Sequence, residues 1–516
     1  MIAKIAAILL GLFPAFADNS ENAPAPQPDR YFAIQVVDDQ TGRGVPMVEL
    51  QTTSSVRYYT DSAGLIAFDE PGLMDKRVFF GVAAHGYELA PDGFGIRGVV
   101  LETKPGTSAT IRVKRLNIAE RLYRITGQGI YRDTILLGRK APVNQPLLNG
   151  EVTGQDSVLC AVYRGRTFWF YGDTLRLSYA LGNFATSGAT SDPPDRIDPA
   201  VGFDLQYFTG QDGFSRPMAP MAGEGVVWLS GVAVLPDADG RDRMVAYFQR
   251  RRGLEALLEN GFVVYDDASD TFQKARVLPL NTPIYPSGHS VRIQQPDGRE
   301  YAYFTTPYPN VRVPANVASY LDATAYEAYT CLKPGTSSAG VNSELERDAA
   351  GRLVWAWKKK TTPLNLKDQQ SLIAAGKMTR AETPFRVQDE TGKPVMLHAG
   401  SCHWNAFRKK YIMIACELFG ATMLGETWYC EADRPEGPWN YGRKVITHAN
   451  KPDDAHDFYN PTQHPFFDSN GGRVIYLEGT YVNTFSGNKH PTPYYEYNQV
   501  MYRLDLADPR LKLPEP

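Results

Sequence analysis

From Tyr31 onward the chain alternates apolar and polar positions with a period of two. Phe32, Ile34 and Val36 interleave with Ala33 and Gln35, a spacing that predicts a half-buried strand. Asp38-Asp39-Gln40-Thr41-Gly42 reads as a turn, followed by a strand carrying Val45, Val48 and Leu50. A second strand-turn-strand runs from Tyr59 to Ile66, and a third strand precedes Ala83-Ala84-His85-Gly86-Tyr87. The stretch Gly129 to Leu137 also reads as a strand, placed before a loop rich in Pro and Asn. Helix-like composition is confined to Leu366–Lys377.

After Val152 the pattern becomes repetitive. A small or polar residue opens each unit, then come an apolar strand, a turn, and a second strand rich in aromatics. The hairpins are Gly154 to Thr174, Leu229 to Phe248, Ser287 to Phe304, Gly400 to Ala415 and Tyr459 to Glu478. Further strands follow at 261–266, 354–357, 426–432 and 501–506. Repeated hairpins with added outer strands are the signature of a propeller. The expectation is an all-β chain, a five-bladed β-propeller preceded by a small β-sandwich. Its boundaries are a signal peptide at 1–17, a linker at 18–30, the sandwich at 31–115, a connector at 116–150 and the propeller at 151–516. The sandwich should bury its own core. The strand at 129–137 should pair with the last blade and join the two ends of the ring, because closure removes exposed strand edges.

Composition narrows the partners. The 516 residues carry a net charge of −3, so neither nucleic acid nor an anionic membrane surface is favoured. Lys4, the apolar run Ile5 to Phe16 and the Ala15-Phe16-Ala17 site read as a cleaved secretory signal, which implies a secreted or periplasmic protein. That run is too short to span a bilayer core of about 30 Å, and no other segment reads as an integral membrane span. Five cysteines, Cys160, Cys331, Cys402, Cys416 and Cys430, cannot all pair within one chain. Buried reduced thiols are the favoured reading, with one disulfide left open.

Sites on a propeller axis collect residues that are distant in sequence. The polar residues expected at the leading ends of the innermost strands are Asp156, His289, His403, Asn460 and His464. Asp156 begins the first strand of one hairpin and Asp173 ends the second, so an antiparallel pairing brings them side by side. Paired carboxylates carry glycoside hydrolysis, one as acid and one as base or nucleophile. These two are the catalytic candidates, in either order. Glu417 and Glu478 occupy the place in later hairpins that Asp173 holds in the first. They join His289, His403, His464, Asn460, Trp404 and Tyr459 as candidate contacts to a polysaccharide or oligosaccharide. No metal-binding spacing is present, and no metal or cofactor is assigned.

Two resemblances add to this reading. Val37-Asp38-x-x-Thr41-Gly42-x-Gly44-Val45-Pro46, Thr60-Asp61-x-x-Gly64 and Gly86-Tyr87 resemble transthyretin-like, carboxypeptidase-regulatory-like sandwiches, which implies an accessory module without chemistry. Phe170-Tyr171-Gly172-Asp173-Thr174, after Gln155-Asp156-Ser157, is similar to the opening of the DUF4185 propellers, a group that includes endo-D-arabinanases. Glu436-Gly437-Pro438-Trp439 and Tyr459-x-Pro461-x-x-His464-Pro465 resemble turns of five-bladed glycosidases. The resemblance implies a glycoside hydrolase acting on furanoside, arabinan-like linkages, with the two aspartates carrying catalysis. The rival readings are a non-catalytic glycan-binding protein and a polysaccharide lyase.

Overall fold

The computed structural model describes residues 28–448, 457–484, 486–488 and 490–514. The signal peptide expected at 1–17 and the linker up to residue 27 lie outside the described residues. No helix among the described residues is long and apolar enough to cross a membrane.

The first module is two four-stranded sheets. One orders Leu65–Phe68, Phe32–Asp38, Ser108–Arg115 and Tyr87–Glu88, and the other orders Arg57–Tyr59, Val48–Thr52, Arg77–Ala84 and Gly98–Glu102. Between them lie Ile34, Val36, Val48, Leu50, Phe68, Phe80 and Val113, all buried. Phe32–Asp38 was expected to be half-buried, yet six of its seven residues are buried. Its neighbour Leu65–Phe68 is buried throughout, because the connector folds back onto that strand. The connector forms a short helix, Arg132–Leu136, where the sequence pattern suggested a strand. Asp133 accepts a hydrogen bond from the Ala67 amide (2.9 Å). Asp61 accepts from both the amide and the hydroxyl of Thr134 (2.7 Å each). These side-chain bonds, and the burial of Ile130 and Tyr131 with Ile135 packed against them, favour a helical turn over a ladder.

Five antiparallel-rich sheets follow. Their first strands are Val158–Tyr163, Val226–Pro236, His289–Gln294, Leu397–Asn405 and Asp457–Gln463. The first, second and fifth sheets have four strands and the other two have five. The helix expected near 366–377 is present as Leu366–Ala374, capped by Asn365. Each first strand packs beside that of the next sheet. At the seam between fifth and first sheets Trp169 and Tyr171 share an apolar cluster with Leu122 and Met501, and hydrogen bonds cross beside it. Gln155 N–H donates to the Tyr497 carbonyl (2.5 Å), Ser157 N–H to Thr480 Oγ1 (2.8 Å), and the Asn460 amide to Ser157 Oγ (2.6 Å).

The fifth sheet is completed by a strand from before the first sheet, but not the expected one. Glu120–Arg124 pairs antiparallel with Asn498–Asp505, with Met501 opposite Tyr123. All five of its residues are buried, whereas 129–137 turns its Asp133 and Thr134 to polar partners in the first module. Nor is the first module's core sealed from the rest. Met47 belongs to the apolar cluster of the fifth sheet, and Tyr59 packs against it. Tyr495 donates its hydroxyl proton to the Thr60 carbonyl, and Arg121 donates to the His85 carbonyl (3.0 Å).

Leu122, on the completing strand, is fully buried in a cluster with Trp169 and Met501. Leu122→Ala should cost about 2–5 kcal/mol in urea unfolding, whereas Val100→Ala, at a half-exposed position, should cost less than about 0.5 kcal/mol. Equal losses at the two sites would show that this strand does not hold the ring together.

Candidate active site

The hairpin of the first sheet changes ladders at its mouth. Val158–Tyr163 pairs with Arg166–Tyr171, and then the same two chain segments resume pairing as Val152–Gln155 with Thr174–Arg176. Asp156 and Asp173 sit in the break. Asp156 N–H donates to the Asp173 carbonyl (3.0 Å), and Asp173 N–H donates to Asp156 Oδ1 (2.7 Å). Gly172 is required here, since a Cβ would lie 2.1 Å from Asp156 Oδ1. That contact explains the Tyr-Gly-Asp interruption of an otherwise aromatic strand.

Two phenols complete the pair. Tyr459 and Tyr497 both donate to Asp156 Oδ2, at 3.1 and 3.0 Å. The Tyr497 hydroxyl also lies 3.5 Å from Asp173 Oδ2, so one phenol bridges the two acids. Three non-glycine residues around Asp156 adopt left-handed backbone: Ser157 (φ 50°), Asn460 (φ 48°) and Tyr497 (φ 63°). Such conformations cost about 1–3 kcal/mol each and persist where surrounding structure enforces them, often at functional sites.

The acids open into a cavity of about 910 Å³ whose wall is drawn from all five sheets. Burial raises the pKa of Asp156, opposed by the hydrogen bonds from Tyr497, Tyr459 and the Asp173 amide. Burial, and then repulsion from Asp156, raise Asp173 to about 6. Burial and the adjacent carboxylates also raise Tyr459 and Tyr497, so both stay protonated donors. The site can thus hold one proton on a carboxyl beside a hydrogen-bonded carboxylate, the division of labour that acid–base cleavage needs.

The structure brings together Asp156, Asp173, His289, Tyr459 and Asn460 on this cavity. The other candidates lie elsewhere, for reasons of strand length. Leu397–Asn405 begins six residues before His403, so His398 lines the mouth in its place. At about 3.3 Å per residue, His403 lies roughly 16 Å further along, on a second cavity at the rear. Trp404 is one residue beyond, half-exposed, edge-on to Tyr411 (5.2 Å). His464 follows the end of Asp457–Gln463 and is fully buried, as is Glu478, so neither reaches the mouth. Glu417 is at the mouth end of its strand but turns inward, accepting from the Trp428 indole (2.8 Å). Burial lowers His289 to about 3 and His403 to about 4, so both imidazoles are neutral.

The sequence pattern did not single out Tyr497, Asp457 or His398. Asp457 lines the mouth cavity, is 1% exposed, and leaves Oδ2 without a hydrogen-bond partner. Its signal was its position at the head of the Asp-Phe-Tyr-Asn strand. Tyr497 follows Tyr494, Tyr495 and Glu496, which give no cue to its backbone angle. All five cysteines are free thiols. No group of three or more His, Cys, Asp or Glu among the described residues is arranged to hold a metal ion.

No protein-family model matches the chain, and no curated protein matches it. Among solved structures, it is similar to the exo-beta-1,3-galactanase from Phanerochaete chrysosporium with galactose, at 11% identity and a TM-score of 0.36, over 77% of this chain and 67% of that one. It is also similar to the GH43_1 enzyme from Xanthomonas citri complexed with xylose, at 12% identity and a TM-score of 0.32, over 68% and 86%. A third is a GH43 beta-1,3-galactosidase with galactodeoxynojirimycin, at 9% identity and a TM-score of 0.35, over 71% and 93%. At such values the site is read from its own geometry.

The Asp173 shift has a sign that stability can report. Its folded pKa of about 6 lies above the unfolded value near 3.8, so the folded state binds more protons in that window, and stability falls as pH rises through it. Asp173→Asn lacks this dependence. The wild type should therefore lose Tm relative to Asp173→Asn between about pH 4 and pH 6, with a constant difference above. A difference that is flat from pH 3.5 to 7 would count against the buried pair.

Proposed function

We propose that this chain is an exported glycoside hydrolase and that Asp156 and Asp173 cleave the glycosidic bond. The observation that carries the reading is the juxtaposition itself. Two carboxylates from the ends of one hairpin share a bridging phenol, and both face an open cavity large enough for sugar rings. Asp156 holds three donors, which suits the group that stays ionised as base or nucleophile. Asp173 has only the long contact to Tyr497 and a raised pKa of about 6, which suits the group that gives its proton to the leaving oxygen. His289, Tyr459 and Asn460 border the same space and supply polar and aromatic surface to a substrate.

In this reading the five sheets are the blades of a five-bladed propeller with the mouth cavity at one end of its axis. The N-terminal pair of sheets is an accessory sandwich, bounded as the sequence suggests at 31–115. The short motifs shared with DUF4185 propellers extend the proposal to furanoside, arabinan-like linkages. The apolar run before Asp18 supports export to the periplasm or outside the cell as part of this reading.

Purified protein incubated with a polysaccharide panel should release reducing ends. Asp156→Asn and Asp173→Asn should each lower turnover by about 10²–10⁴-fold while substrate retention survives. Unsaturated products would indicate a lyase, and retention without turnover a binding protein. Near-normal turnover in either variant would remove that aspartate from the chemistry.

A further inference from the structure

Behind the mouth the first strands run on to a second cavity of about 380 Å³, lined by their trailing halves. Cys160 reaches it from Val158–Tyr163. Of the five cysteines it is the one that is not buried. Its Sγ lies 3.3 Å from His464 Nδ1. On the far side of the same ring, His464 Nε2 lies 3.5 Å from Glu478 Oε1. These three residues come from three separate strands or turns, and neither phenol of the mouth site touches them.

The order of the contacts matters. His464 and Glu478 are both 0% exposed, and neither Glu478 oxygen has a hydrogen-bond partner. A buried carboxylate is costly unless a cation compensates it, and among the described residues His464 is the basic group that pairs with it. The ring is held in place by Trp169, edge-to-face at 5.2 Å, and by Phe466. Burial works against charge on His464, while Cys160 and Glu478 on its two sides outweigh burial and raise its pKa. A proton kept on Nδ1 points at Cys160 Sγ, and a neighbouring imidazolium stabilises a thiolate.

We infer that Cys160, His464 and Glu478 form a second reactive centre, a thiolate–imidazolium pair oriented by a carboxylate, which opens on the rear cavity and takes a small uncharged carbon electrophile. The ligand class follows from the walls. Val162, Val234 and Phe466 are apolar, His289 and His403 are neutral there, and the two charged residues on the wall, Asp242 and Arg292, are of opposite sign. With iodoacetamide the Sγ lone pair forms the S–CH2 bond as the C–I bond breaks. Iodide leaves with the bonding pair, and His464 keeps its proton.

Other titratable groups near the centre are Asp468, held through Gln463, and Asp242 and Arg292 on the cavity wall. The phenols of Tyr123, Tyr171 and Tyr207 lie near Glu478 and are raised by burial and by that carboxylate, so they stay neutral. Asp468 is raised by burial to about 7, so a change in its charge would fall within the range to be scanned.

The test is the rate of iodoacetamide labelling of the full chain from pH 5.5 to 8.5, with the modified residue mapped by mass spectrometry. The expected result is labelling at Cys160 with a rate that is nearly flat from about pH 6 to 8. An ordinary thiol near pKa 8.5 is about 0.3% thiolate at pH 6. The gain in thiolate is partly offset by lower nucleophilicity, so wild type should react about tenfold or more faster at pH 6 than His464→Gln or Glu478→Gln. The wild-type profile alone suffices if those variants fail to fold, and Cys160→Ser should abolish the label. A rate rising about tenfold per pH unit through 6 to 8, label carried by another cysteine at pH 6, or no reaction at Cys160 would each overturn the proposal.

Discussion

A row of antiparallel sheets ends in two exposed edges unless its last member meets its first. Here that meeting combines an apolar cluster around Trp169, Leu122 and Met501 with a handful of hydrogen bonds, Gln155 to Tyr497, Ser157 to Thr480 and Asn460 to Ser157. The hydrogen-bonded residues surround Asp156. The seam between the fifth and first sheets and the candidate site are therefore one piece of structure. The first-sheet hairpin interrupts its ladder where the fifth sheet comes against it and resumes between the same two segments. The break leaves Asp156, Ser157, Gly172 and Asp173 outside both ladders, and their polar groups turn to one another, to Tyr459 and Tyr497, and to the cavity. Strain at Ser157, Asn460 and Tyr497 is tolerable because closure buries enough apolar surface on either side, with Trp169, Leu122 and Met501 packed just behind.

Electrostatics then separate two acids of the same residue type. Asp156 is the more enclosed, yet it has two phenols and an amide to stabilise its charge. Asp173 is less enclosed but has little besides the distant Tyr497 hydroxyl, and it feels the charge of Asp156. When two close carboxylates cannot both ionise freely, the one with fewer donors keeps the proton. A glycine at position 172 is what lets them approach this closely, and any side chain there would collide with the carboxylate of Asp156.

Much of this was legible in the sequence, and the failures share a physical origin. Alternation and turn chemistry located the hairpins, because a strand with one buried face must alternate. The Asp156 and Asp173 pairing followed from antiparallel geometry, which fixes who sits opposite whom. What a single sequence does not carry is where a strand begins relative to its neighbours. His403 was assigned to the leading end of its strand, but six residues precede it in the ladder, and His398 takes that place. The same uncertainty of register moved His464 and Glu478 from the mouth to the interior. The 129–137 segment has strand-like residues, yet Asp133 and Thr134 find better partners in a helical turn against the first module. Tyr497 was invisible because its role depends on a left-handed backbone angle and on contacts to residues more than 300 positions away.

The first module is tied into the same seam. Tyr495 donates to the Thr60 carbonyl and accepts from the Met47 amide, and the guanidinium of Arg124 lies over its ring at 4.5 Å. Arg124 is itself buried on the completing strand, beside residues that pair with the last strand of the fifth sheet. Tyr495 is two residues from Tyr497, in a segment where Tyr494 and Tyr497 both take left-handed angles. The phenol of Tyr495 anchors this segment to the first module, and the carboxylate of Glu496, which accepts from the amide of Thr484 (2.9 Å), anchors it to the fifth sheet's end. The N-terminal sheets therefore do more than add a surface. They hold one end of the segment whose other end places the Tyr497 hydroxyl between the two carboxylates, so the N-terminal sheets and the candidate site are mechanically continuous.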